Sequence, residues 1–297
     1  MKNKLIFVFL DGIGLGKTDA YNPFAKAPMP VLTSLLGGKL LPATKTLSSH
    51  VLLKGIDACL GVSGVPQSAT GQAALFTGFN APEELGYHLP AYPNKELIAL
   101  INQRSLFKYA KEQRLKSIFA NSYTDGYFKN FNPDADNYSV TTRCVLAAQS
   151  RFNTTEDLMA GKAVHWDITN FSLQSLPDNK VPVYAPQKAG ENLLNLAYEY
   201  DLILYECFLP DLIGHRKDME KSLWLLNTLD NFLKGLTDKK PPDVNIVISS
   251  DHGNMEDLST GGHTKNPVPL ICLGNLAPKF SGITAIDQIF HTIFENL

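Results

Sequence analysis

The sequence predicts an α/β protein: a three-layer sandwich around a mostly parallel central sheet, with a small cap inserted in the chain. Three observations predict it. Short continuous apolar runs alternate with stretches of helical period, which is how strands covered on both faces by crossover helices read. The 297 residues, 44% hydrophobic and 19% charged, are enough for one large domain or a core with a lid. The stretch from about Tyr123 to Val183 interrupts the alternation and so reads as an insertion.

Taken in order, Leu5 to Leu10 is a buried strand. Lys2 and Lys4 before it imitate a signal peptide, yet the apolar run is short and ends at Asp11 without a small-residue cleavage site. Pro66 to Gln72 leads into a helix-like Ala73 to Thr77. A helical pattern over Ser105 to Gln113 precedes a strand at Ser117 to Asn121. The stretch 123–183 is rich in Asn, Asp, Ser and aromatics (Tyr123, Tyr127, Phe128, Phe131, Tyr138); structureless loops of that length are uncommon, so a small cap over the sheet edge is expected. After it come a helix (Ala189 to Tyr200), a strand (Leu202 to Phe208), a helix (Met219 to Leu236), and strands at Val244 to Ser250 and Val268 to Leu273. Thr284 to Leu297 closes the chain as a helix, Thr284 and Asp287 having capping-box spacing. The core is therefore expected to be discontinuous, 1–122 with 184–297, and the cap to be 123–183.

Composition excludes several classes. With 27 Lys+Arg against 29 Asp+Glu the formal net charge is -2, and no basic cluster could neutralise a run of phosphates, so nucleic acid is not an expected partner. No apolar stretch is long enough to span a bilayer, so no membrane partner is expected either. Cys59, Cys144, Cys207 and Cys272 are scattered without a CxxC pair, and two lie in strand-like runs; free thiols in a reducing cytoplasm are expected. No repeat is present, and oligomeric state has no signature.

Asp11-Gly-Ile-Gly-Leu-Gly-Lys-Thr18 imitates a phosphate-binding loop after the first strand. A Walker motif needs Gly at the position of Asp11, and the dinucleotide pattern needs a third Gly at Lys17. A carboxylate where backbone must cradle phosphate repels it unless a cation lies between, so the failed motif points to metal.

Asp11 follows a strand at the carboxyl edge of a parallel sheet, where open α/β folds place ligands, and Asp251-His252 stands in the same situation. Asp211 follows the strand Leu202 to Phe208, and His215 four residues on shares its face of a helical turn. His263 lies in Gly261-Gly-His-Thr before another strand. Oxygen-plus-nitrogen sets of this kind suit Zn or Mn. Ser68 would sit at a helix N-terminus, where amide groups and the dipole favour a phosphate; taken alone, such a serine is an N-cap. Beside a metal it is a nucleophile whose hydroxyl needs no histidine base.

Asp11-Gly, Ser68-x-x-Gly71, Asp211-x-x-x-His215, Asp251-His252-Gly-Asn254 and His263, in that order, resemble the alkaline phosphatase superfamily, most closely its branch of cofactor-independent phosphoglycerate mutase and phosphopentomutase. The resemblance covers the chain outside the insert. It implies an alkaline phosphatase-like fold and two divalent ions, Mn or Zn: one held by Asp211, His215 and His263, the other by Asp11, Asp251, His252 and Ser68. It further implies that Ser68 attacks the phosphorus of a small phosphorylated substrate. Ser68-Ala-Thr-Gly lacks the Cys/Ser-x-Pro-x-Arg signature of the sulfatase branch. Where the mutases carry a large basic domain, this insert is short, with Lys129, Arg143 and Arg151 as candidates to clamp an oxyanion. A phosphatase is therefore expected. A mutase, and a metal-binding protein without turnover, are the alternatives; a P-loop nucleotide module is disfavoured by Asp11.

Overall fold

The structure, a computed structural model, describes residues 2–297 except 130, 133, 134, 136 and 178. Seven strands form one sheet: β1 (Lys4–Leu10), β2 (Thr46–Leu47), β3 (Val51–Ile56), β4 (Ser117–Phe119), β5 (Leu202–Cys207), β6 (Val244–Ser249) and β7 (Val268–Leu273), in the order β2-β3-β7-β6-β1-β5-β4. β6, β1, β5 and β4 run parallel, with Leu10 paired to Cys207 and Phe9 to Ser249. β7 is antiparallel to both β6 and β3. Hence β3 points the same way as β1, and β7 begins at the edge where β1, β3, β5 and β6 end.

Alternation along the strands divides their side chains between two cores, which makes the three layers. Leu5, Phe7, Phe9, Leu204 and Val247 pack under the helices Ser68–Thr77, Leu106–Glu112 and Gln288–Asn296. Ile6, Val8, Ile203, Tyr205 and Ile248 pack under Pro186–Asn195 and Met219–Thr237 on the other face. β5, β6 and β7 are buried along their whole length, which is why they read as continuous apolar runs.

Two expectations shift. β2 and β3 were not expected; in β3 the buried Leu52-Leu53 and Ile56 are separated by the half-buried Lys54-Gly55, so no long apolar run announces it. The closing helix starts at Gln288 rather than Thr284, and the Gln288 side chain accepts from the Thr284 amide at 2.8 Å in place of an Asp287 box. Within 123–183, the helix Val140–Ala147 contributes Val140, Cys144 and Val145 to the first core, whereas Leu158, Ala163, Leu173 and Val181 form a small cluster of their own. Among the described residues no helix is long and apolar enough to cross a membrane.

Candidate active site

The carboxyl edge collects the predicted residues because of strand direction. Asp11 leaves β1 with its amide donating to the Cys207 carbonyl of β5 at 3.0 Å. Gly12 (φ +75°) turns the chain there, and a Cβ on it would lie 2.8 Å from the Asp211 Cα, so only glycine lets the two segments meet. Asp211 and His215 share the helix Leu209–His215 that follows β5. Asp251 and His252 follow β6 and are fully buried. His263 precedes β7, whose reversed direction returns its loop to this edge. Ser68 is the first residue of the helix Ser68–Thr77, reached from the end of β3; Gln67 occupies the cap position, so the Ser68 hydroxyl is not the cap. Gly71 in that helix lets it lie against Asp251: a Cβ would sit 2.8 Å from the Asp251 carbonyl oxygen.

All seven residues come together, in two linked groups. Asp211 Oδ2 is 3.3 Å from His215 Nε2, Asp211 Oδ1 is 3.5 Å from His263 Nε2, and the two Nε2 atoms are 3.3 Å apart. His252 Nε2 is 3.3 Å from Asp11 Oδ1, 3.5 Å from Asp251 Oδ2 and 3.0 Å from Ser68 Oγ. The His252 and His263 rings stack at 3.6 Å, joining the groups.

The backs of the imidazoles decide what their fronts can do. Nδ1 of His263 lies 3.0 Å from the Pro66 carbonyl, Nδ1 of His215 3.0 Å from that of Gly261, and Nδ1 of His252 3.4 Å from that of Gly253. A carbonyl only accepts, so each Nδ1 holds a proton and each ring turns its Nε2 toward the carboxylates. Between each Nε2 and the carboxylates there is a place for a proton or for a bound cation. Asp11 Oδ1, moreover, is buried without a hydrogen-bond donor. Among the described residues, the ligand atoms of Asp211, His252 and His263, and those of Asp11, Asp251 and His252, lie within 4.8 Å of one another in each triple. Hard oxygen and borderline nitrogen donors so placed fit divalent ions.

Electrostatics report the same crowding. Burial, then the charges of Asp251 and Asp211, push the Asp11 carboxyl well above the usual range. Burial pulls His252 down. Burial would also raise Asp211, but the bond from His263 and the charge of His252 outweigh it and hold the carboxyl at about 2.

The loop after Asp11 is not a phosphate cradle. The amides of Ile13 and Gly14 donate to Ser250 Oγ and Glu256 Oε2, both at 2.9 Å. Glu256 is a residue sequence reasoning missed. Buried, it also accepts from the Asn254 amide (2.7 Å), Asn266 Nδ2 (3.0 Å) and the Thr264 hydroxyl, and so ties the loops of Asp11, His252 and His263 together. Gln72 Nε2 similarly spans Asp11 and Asp251, 3.3 Å from each.

A cleft of about 590 Å³ opens beside Ser68, Asp11 and Asp211. The basic residues considered as clamps do not line it. Arg151 makes a two-pronged bond to Asp157 at 2.9 and 3.0 Å, Lys129 lines a separate cleft with Glu156, and Arg143 donates to the Ala135 carbonyl.

A mixed α/β sheet with clustered oxygen and nitrogen donors at its carboxyl edge is laid out to hold divalent metal. The chain belongs to the Metalloenzyme superfamily, whose family model matches residues 3–293. It is 37% identical over 89 residues to the 2,3-bisphosphoglycerate-independent phosphoglycerate mutase of Yersinia pestis, a match covering 27% of this chain and 17% of that protein. The corresponding mutase of Desulforudis audaxviator is 28% identical over 112 residues, 33% of this chain and 22% of its own length. These matches thus span about a fifth of the mutases they resemble. In fold the chain is similar to the alkaline phosphatase of the Antarctic bacterium TAB5 (TM-score 0.57, 16% identity, 99% of this chain and 98% of that one). It is likewise similar to Leishmania mexicana phosphoglycerate mutase (TM-score 0.52, 11% identity, 100% and 95%).

Proposed function

We propose that the protein is a cytoplasmic two-metal phosphomonoesterase that works through a phosphoserine at Ser68. Asp211, His215 and His263 would hold one Mn or Zn ion; Asp11, Asp251 and His252, with Ser68 Oγ, would hold the other. The observation that carries this reading is the set of inward-facing Nε2 atoms, anchored from behind by backbone carbonyls and crowded by Asp11, Asp211 and Asp251. Bound cations supply charge neutralisation at the attacking and leaving oxygens and make the serine hydroxyl acidic. The chain's own groups do the positioning. Ser68 stands at the start of its helix, and His252 Nε2, 3.0 Å away, orients Ser68 Oγ. Ser68 Oγ bonds to phosphorus as the substrate's alcohol oxygen leaves and takes a proton; water then cleaves the phosphoserine. The reducing compartment is supported by the four free cysteines, three of them buried.

Loading the purified protein with Mn or Zn should give two ions per chain by elemental analysis, and a phosphate-ester screen should give Ser68 phosphorylated by mass spectrometry. His263→Ala should empty chiefly one site. At most one ion after loading, or turnover with no modified serine, would overturn the assignment.

A further inference from the structure

We infer that the cleft beside Ser68 selects monophosphate esters of ring-bearing alcohols that carry no negative charge of their own, with Trp166 and Glu206 as specificity-determining residues. This rests on the phosphomonoesterase reading of the same site.

The cleft, about 590 Å³, has the size of a small-molecule site, far more than a phosphate needs. Its walls are aromatic. Trp166 lies flat on Phe208, with ring centroids 4.4 Å apart and planes 12° from parallel, so the indole is a fixed platform; Tyr92, 53% exposed, stands on the rim. Tyr123, Tyr127 and Tyr138 supply another wall and are locked by ring contacts of 4.5 and 6.0 Å. Flat hydrophobic walls held in place favour a ring.

Among the described residues lining the cleft none is Lys or Arg. Among the same described residues, apart from Asp11 and Asp211, the one acidic side chain is Glu206, the fifth residue of β5's buried run, whose Oε2 accepts from Thr141 Oγ1 at 2.8 Å. His165 is held down by burial, which disfavours a positive charge there. Away from the metal centre, a substrate carboxylate would therefore lose its water, find no Lys or Arg among the described lining residues, and meet Glu206. A neutral or cationic ring meets no such opposition. The same walls that would hold a ring thus disfavour a phosphorylated acid.

The test compares three esters on one scaffold: benzyl phosphate and its 4-carboxylate and 4-aminomethyl derivatives, assayed with the metal-loaded full chain on the alkaline side, where the Glu206 carboxyl, raised to about 7, is ionised. kcat/KM should be at least tenfold higher for the neutral and cationic esters than for the carboxylate. Trp166→Leu should raise KM for benzyl phosphate about tenfold with a smaller change in kcat, and Glu206→Gln should shrink the cation-over-carboxylate ratio at least fivefold. A carboxylate ester used as well as the neutral one overturns the proposal, as does a charge preference untouched by Glu206→Gln. If no ester turns over, the phosphomonoesterase reading fails, and calorimetric binding of benzylphosphonate against 4-carboxybenzylphosphonate judges the cleft. Tighter binding of the uncharged ring upholds the selectivity; equal or reversed affinity overturns it. Should Glu206→Gln not fold, Thr141→Val, which removes the hydroxyl that orients Glu206, must shift the same ratio.

Discussion

Ser68 shows how two roles of one residue separate by measurement. Its hydroxyl caps nothing, because Gln67 holds the cap position, and it faces His252 Nε2 instead. Ser68→Ala should therefore leave stability within about 0.5 kcal/mol, less than the ~1 kcal/mol of a lost cap. It should lower turnover by at least ~1,000-fold with both metals still bound, as expected when a nucleophile is removed. Near-normal turnover would refute the nucleophile. Glu206 makes a prediction of opposite kind, about cost. Burial, opposed by Thr141's hydroxyl, pushes its carboxyl from 4.5 to about 7. Between those values the folded chain keeps a proton the unfolded chain has lost, so stability falls as pH rises through the window. In chelator-treated protein, Glu206→Gln should therefore gain on the natural chain by roughly 2–3 kcal/mol between pH 5 and pH 8, the part of the effect of moving from 4.5 to about 7 that falls in this window at 1.36 kcal/mol per tenfold. Denaturant midpoints giving a pH-independent difference would sink this. Asp11, Asp211, His215, Asp251 and His252 could be picked out because each sits at a strand end or on one helical turn, and His263 because its Gly-rich loop leads into a strand. Glu256 was not, since its donors, Gly14, Asn254, Thr264 and Asn266, lie in three loops and leave no local pattern.

At the level of elements, direction matters as much as existence. Strands buried on both faces announced themselves, and β7 coincides with its expected span, Val268 to Leu273. What a run of apolar residues does not encode is orientation. Only the antiparallel pairing of β7 with β6 and β3 returns the His263 loop to the edge where β1 and β5 end. β3, half-buried and interrupted by Lys54-Gly55, escaped notice, although the chain leaving it carries Ser68 to the same edge. Loops delivered from strands of both directions need a common tether, and Glu256 provides it. Glu256→Gln keeps the shape but replaces one acceptor oxygen by an NH₂ that faces donors, so buried amides or hydroxyls lose their partner. The expected cost is ~2 kcal/mol of stability. Because the tether joins the loops of Asp11, His252 and His263, weaker affinity for both metals should accompany it. Competition with a graded series of chelators reads that out, and unchanged affinity at both sites would mean that the loops are fixed by their strands alone.

For the whole molecule, the question is whether the site can exclude water. A mutase must retain its dephosphorylated intermediate and keep water from the phosphoserine until a second hydroxyl arrives, which calls for a closing lid. Here the wall contributed by 123–183 is a set of interlocked rings. Tyr123 contacts Tyr127 and Phe152 at 4.5 and 5.0 Å, and Phe131 contacts Tyr138 at 5.1 Å. Its helix Val140–Ala147 is built into the core beneath the sheet. Such a wall is anchored rather than hinged, and the cleft mouth keeps Tyr92 53% and Leu212 39% exposed. The aromatic richness of this segment was visible in the sequence, but its interlocking was not, because it joins residues up to 29 positions apart, Tyr123 with Phe152. With water free to enter, the phosphoserine should be hydrolysed faster than it is passed to another hydroxyl. Supplying ribose 5-phosphate or 3-phosphoglycerate with Mn, and following free phosphate and the positional isomer together, should show phosphate as the dominant product at whatever rate each ester is used. Isomer accumulating with negligible free phosphate would show instead that a second subunit or a rearranged 123–183 seals the site, and would move the activity from hydrolysis to intramolecular transfer.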